Sequence, residues 1–111
     1  MTLPEEHCRP IPKGTPALPP AQAKELARQV PAWRLEGERL ARGMEFKDFG
    51  AALAFVNAVG KLAEAESHHP DLHLTGYKRL RIETSTHSVG GLSRNDFVLA
   101  AKVDRLPGVP A

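Results

Sequence analysis

The chain is short of several features that would settle a class at once. Cys8 is its only cysteine, so an intrachain disulfide is excluded and a reducing compartment is expected. No apolar run approaches the roughly 18 residues needed to span a bilayer, and the start lacks a signal-peptide core. The expected location is therefore the cytoplasm, with no membrane contact. A formal charge of +2 is too small to argue for a nucleic-acid partner. The densest basic stretch, Lys78-Arg79 with Arg81, reads as a solvated strand face. Gly-x-Ser-x-Gly, phosphate-loop and dinucleotide fingerprints are missing too, and no internal repeat is present.

What is present fits one ordinary globular domain of 111 residues with 41% hydrophobic content, enough for a single modest core. Six of the ten prolines fall within residues 1–20, which excludes helix and inner strand there. Residues 1–20 are expected to form an extended arm, 21–106 the domain and 107–111 a short tail. Cys8 and His7 in the arm lack further partners for a metal site.

Leu26 and Val30, with Ala23 and Ala27, predict a helix over Ala21–Val30, ended by Pro31. Trp33–Glu36 and Leu40–Lys47 read as strands joined by a turn at Gly37-Glu38. Arg42 interrupts the second strand's apolar face and predicts a position partly at a sheet edge. Asp48 reads as an N-cap. Phe49, Ala52, Leu53, Val56, Val59, Leu62 and Ala63 then recur at helical spacing over about 18 residues. Gly60 inside this helix suggests close packing on the sheet. Leu72–Tyr77 and Arg79–Ser85 alternate as two more strands. Ser93 and Asp96 form a capping box ahead of a last helix carrying Phe97, Ala100, Ala101 and Val103. The order α-β-β-α-β-β-α predicts an α+β fold: a four-stranded antiparallel sheet with its helices on one face. Open sheet edges predict a homo-oligomer.

Chemistry concentrates in Glu64-Ala-Glu-Ser-His68-His69-Pro70-Asp71. Pro70 places the paired histidines at a helix end, and His87 ends the fourth strand beside Gly90-Gly91. Brought together, three groups that titrate near neutral pH would surround one small volume. Glu64, four residues before His68, could orient that ring if the helix persists. Against this stand ordinary readings: surface histidines at a helix end, a turn histidine at 87, and Asp96 as a plain helix-start residue. Metal ligation by His69, His73, Asp71 and His87 is disfavoured, because Pro70 breaks the continuous helix that a His-x3-His site requires.

With these residues in place, the sequence resembles the pterin-4a-carbinolamine dehydratase family. The resemblance rests on Glu64-x3-His68-His69-Pro70, Tyr77, His87 and Asp96 at matching spacing. Ser85-Thr86-His87, Gly91-Leu92-Ser93 and Phe46-Lys47-Asp48-Phe49 reinforce it. It covers residues 21–105, with Leu72 where many animal members have tryptophan and Asn95 where arginine is common. The resemblance implies an enzyme that dehydrates 4a-hydroxytetrahydropterin to quinonoid dihydropterin, in support of tetrahydrobiopterin recycling, with no metal or organic cofactor; the homo-oligomer expected from the sheet edges would be a homodimer or homotetramer. It implies His69 and His87 as the acid–base pair and His68 as the residue that binds and orients the pterin. Glu64 and Asp96 would support the imidazoles, and Ser67, Ser85, Thr86 and Ser88 would contact the ring. An alternative role comes with the same resemblance. Animal members also serve as dimerisation cofactors of a homeodomain transcription factor, so an adaptor or coactivator function is the competing expectation.

Overall fold

The structure, a computed structural model, describes residues 2–110; Met1 and Ala111, the outermost residues of the expected arm and tail, lie outside them. The elements are α1 (Pro20–Ala27), β1 (Arg34–Glu36), β2 (Arg39–Glu45), α2 (Phe49–Glu66), β3 (Asp71–Thr75), β4 (Arg79–Thr84) and α3 (Arg94–Val103). The α-β-β-α-β-β-α order holds. All strand pairs are antiparallel, in the spatial order β1-β2-β4-β3.

One face of the sheet is polar and open. The alternate positions Leu40, Met44, Leu80 and Ile82 are buried against α2 and α3, as period-two patterning requires. Strand β2 is not at an edge. It pairs with β1 on one side and β4 on the other, and Arg42 is accommodated there because its Nη1 donates to Asp104 Oδ1 at 2.5 Å. Trp33 Nε1 donates to the same oxygen at 2.8 Å. A buried charge is tolerable when paired and hydrogen-bonded, and its partner lies 62 residues away in sequence.

Asp48 caps α2 by accepting from Ala51 N at 2.8 Å, and the helix runs 18 residues. Its buried stripe is Ala52, Phe55, Val59 and Ala63, rotated from the expected one. Phe55 joins the core and packs on Phe46 with ring centroids 5.3 Å apart, while Phe49 and Leu53 are exposed. A Cβ at Gly60 would meet no heavy atom within 4 Å, so close packing does not explain that glycine. Strand β3 is shorter than its alternation suggests, because Gly76 and Tyr77 both take positive φ, 53° and 56°, and turn the chain toward β4.

The arm lies against the domain. Leu3 is buried in the core. Asn95 grips the backbone of Arg9 from both sides: its Oδ1 accepts from Arg9 N at 3.0 Å and its Nδ2 donates to Arg9 O at 2.8 Å. Cys8 N donates to Glu66 Oε1 at 2.7 Å, and Arg94 forks onto Glu6 at 2.6 and 2.8 Å. The arm thus spans the C-terminus of α2 and the N-terminus of α3.

Candidate active site

The end of α2 decides where the paired imidazoles go. Ser67 adopts a left-handed conformation, with φ 53° and ψ 37°, which closes the helix as a C′ residue and costs a non-glycine side chain some strain. This turn swings His68 inward and His69 outward. The consequence reverses one expectation. Glu64 meets His69, not His68, with Oε1 2.7 Å from His69 Nε2. His68 Nε2 lies 2.7 Å from Asp96 Oδ1 instead.

Asp96 is completely buried and its two oxygens organise the site. Oδ1 accepts from Thr84 Oγ1 at 2.6 Å as well as facing His68. Oδ2 accepts from Thr86 Oγ1 at 2.8 Å and from the Ser93 amide at 2.9 Å. The capping-box expectation for Ser93 and Asp96 therefore holds, and the same carboxylate also fixes an imidazole, which the helix-start reading alone did not contain. Hydrogen bonds to an ionised carboxylate are the strong ones, so β4, α3 and the α2–β3 link are pinned at one point.

The register explains why these segments meet. Asp71 pairs with Glu83, which sets the start of β3 against the end of β4, and His68 and Thr86 meet on the two oxygens of Asp96. His87 follows at once in a single 3-10 turn, His87–Val89, closed by Gly90 at φ 69°. His69 lines a depression of about 700 Å³ between α2 and β3, with Glu64, Gly60, Pro70 and Leu72. His87 lines a separate one of about 200 Å³, with Ser85 and Thr86. The single enclosed volume expected for the three imidazoles is instead two depressions flanking the Asp96 network. Ser67, Ser85 and Ser88 are exposed. Thr86 is buried, and its hydroxyl is committed to Asp96 and to Ser93 Oγ, at 2.7 Å.

Sequence reasoning missed Glu66 and Asn95. Glu66 sits two residues before His68 with its side chain 6% exposed. Burial, the largest influence on its carboxyl, pushes its pKa up. The Cys8 amide, His7 and Lys102 outweigh that and hold it below the ordinary value. Cys8 is no nucleophile: burial, then the nearby Glu66 carboxylate, push its thiol up to about 12, far from a reactive thiolate. Among the described residues no three His, Cys, Asp or Glu side chains group so as to hold a metal ion, and no helix is long and apolar enough to cross a membrane.

The family model described as pterin 4 alpha carbinolamine dehydratase matches residues 16–106. A Rubrobacter xylanophilus protein, provisionally named a pterin-4-alpha-carbinolamine dehydratase, is 47% identical over 105 residues, which is 94% of this chain and 97% of that protein. A Nitrosomonas eutropha protein with the same provisional name is 43% identical, over 94% of this chain and 92% of its own. Among solved structures, the transcriptional coactivator/pterin dehydratase of Brucella melitensis superposes with a TM-score of 0.73 at 30% identity, covering 79% of this chain and 95% of that one. A pterin dehydratase-like protein identified as a RuBisCO assembly factor in the alpha-carboxysome gives 0.58 at 26% identity, covering 71% and 93%. A match over nearly the whole domain, with the carboxylate-backed histidines in place, leads to one conclusion: the chain belongs to the pterin 4 alpha carbinolamine dehydratase family.

Proposed function

We propose that the protein dehydrates 4a-hydroxytetrahydropterin to quinonoid dihydropterin by histidine general acid–base catalysis, in support of tetrahydrobiopterin recycling in the cytoplasm. The observation that carries this reading is the contrast between two carboxylate-backed imidazoles, His68 on buried Asp96 and His69 on exposed Glu64. An acid protonates the 4a-hydroxyl and the C4a–O bond breaks with loss of water. A base removes the N5 proton, and the N5 electrons close the new double bond. Imidazoles titrate near the working pH and serve in either role. His69 and His87, both exposed, are the acid–base pair, acting on a pterin laid across the two depressions that they line. His68, held by Asp96, orients the pterin, with Ser67, Ser85 and Ser88 at the rim and Thr86 fixing the backbone beneath. Glu64 sets the tautomer of His69.

The test is the rate of dehydration of synthetic 4a-hydroxytetrahydropterin. Wild-type protein should accelerate it and the His69→Ala/His87→Ala double variant should lose most of that. A double variant as fast as wild type would sink the assignment.

A homo-oligomer, dimer or tetramer, is part of the proposal. Strands β1 and β3 are unpaired sheet edges, and Phe49 and Leu53 stand exposed one turn apart on α2. The same apolar pair is what an adaptor reading would use. Light scattering on Leu53→Asp checks whether that face holds copies of the chain together; an unchanged mass would remove α2 from the assembly.

A further inference from the structure

The β1–β2 turn arrives at the same sheet end as His87. Leu40 pairs with Thr84, and just beyond that pair Glu38, Arg39, Ser85 and Thr86 line one depression. From the other side, His68 and Thr86 meet on the two oxygens of Asp96. The turn and the paired histidines thus flank the end of β4. The depression of about 200 Å³ lies between the turn and the His87 loop, with Glu38 and Arg39 on one wall and Gly90-Gly91 among its lining. Cavities that enclose a small molecule usually measure roughly 300–1,000 Å³, so this one suits one end of a ligand rather than the whole.

Its charged groups differ in commitment. Arg39 Nη1 donates to Glu83 Oε1 at 2.8 Å, which anchors the guanidinium. Glu38 is exposed, and among the described residues its carboxylate has no ion-pair partner.

We infer that Glu38 is a specificity-determining residue that reads the 2-amino-pyrimidine edge of the pterin while His87 faces the reacting side of the ring. This rests on the dehydratase reading above. That edge presents two parallel N–H donors, at N3 and at the 2-amino group, followed by the 4-oxo acceptor. A carboxylate accepts two parallel N–H groups in the same fork that it offers a guanidinium, and the neighbouring Arg39 supplies a donor for the 4-oxo group. No other side chain lining this cavity is an acceptor-only group with two oxygens. His87 and the hydroxyls can each accept one bond.

The experiment compares wild type, Glu38→Gln and Glu38→Asp in steady-state dehydration, and in fluorescence titration with a dihydropterin and its 2-oxo counterpart, a dihydrolumazine. Wild type should prefer the 2-amino ligand. Glu38→Gln should raise KM at least 10-fold, change kcat less than twofold and bind the two ligands within twofold of each other. Glu38→Asp should recover part of the preference. Circular dichroism melts establish that each variant is folded. A wild type that turns over normally beside a Glu38→Gln variant with unchanged KM and unchanged preference overturns this inference and leaves the dehydratase reading standing. A wild type that neither binds the dihydropterin nor dehydrates the carbinolamine overturns the dehydratase reading itself.

Discussion

His68 and His69 are neighbours in sequence and opposites in surroundings. The His68 side chain is 11% exposed and faces a carboxylate at 0%, whereas His69 is 63% exposed and faces one at 80%. Both contacts measure 2.7 Å, so distance alone does not separate them. Burial does. A pair taken out of water is costly to break, because the surviving partner is left unsatisfied; an exposed pair is worth under about 1 kcal/mol. The inner pair is therefore a structural anchor and the outer pair is open to solvent, which is the division of labour the proposed dehydratase chemistry would use.

The strongest way to break this comparison is to remove Asp96. Asp96→Ala strands His68, Thr84, Thr86 and the Ser93 amide, and should cost about 3–5 kcal/mol of stability in denaturant melts. A loss below about 1 kcal/mol would mean the inner network is not structural. His69→Ala should do the reverse. Stability should stay within about 0.5 kcal/mol, while kcat falls by about 100-fold or more.

A smaller effect sharpens the contrast through pH. Glu6 and Glu66, which hold the arm, both have carboxyls held below the ordinary value of 4.5. For Glu6 the main cause is the Arg94 hydrogen bond. For Glu66 the amide, imidazole and ammonium contacts overcome burial. Folded values that are depressed give stabilisation that is complete above 4.5 and is lost as pH falls through the lower folded values. The arm should loosen in that acid range, by about 1 kcal/mol for each half-exposed pair. The Cys8 and Arg9 amide resonances should report it in NMR titration.

The smallest change is Gly60→Ala, on the wall of the outer depression. The helix gains about 1 kcal/mol, since the new Cβ meets nothing. A thermal shift upward with KM unchanged is the expected result, and a raised KM would show that substrate reaches this far along α2.

How much of this was legible in the sequence depends on distance along the chain. Helix α2, its Asp48 cap, both hairpins and the Ser93 capping box are local patterns, and the structure agrees with them closely. The rank of β2 was not legible, because Arg42 looked unsatisfied without Asp104. Helical spacing paired Glu64 with His68. A left-handed residue at 67 undid that, and serine gives no warning of one where glycine would. Strand alternation gave the end of β4 but not Glu38 as its neighbour, which needs the β2–β4 register. Asn95 read as a mere replacement for arginine, and only the folded arm shows what its amide holds.

The grip of Asn95 on Arg9 joins residues 86 apart. During synthesis at about 5–20 residues per second, roughly 4–17 s separate the making of the two. Throughout that interval the arm lacks α3, one of the two helices it spans, and the Asn95 clasp is unmade. An arm clasped by a helix made 86 residues later stays loose until that helix exists, so a nascent chain stalled before Asn95 should present Cys8 as an ordinary, labelable thiol.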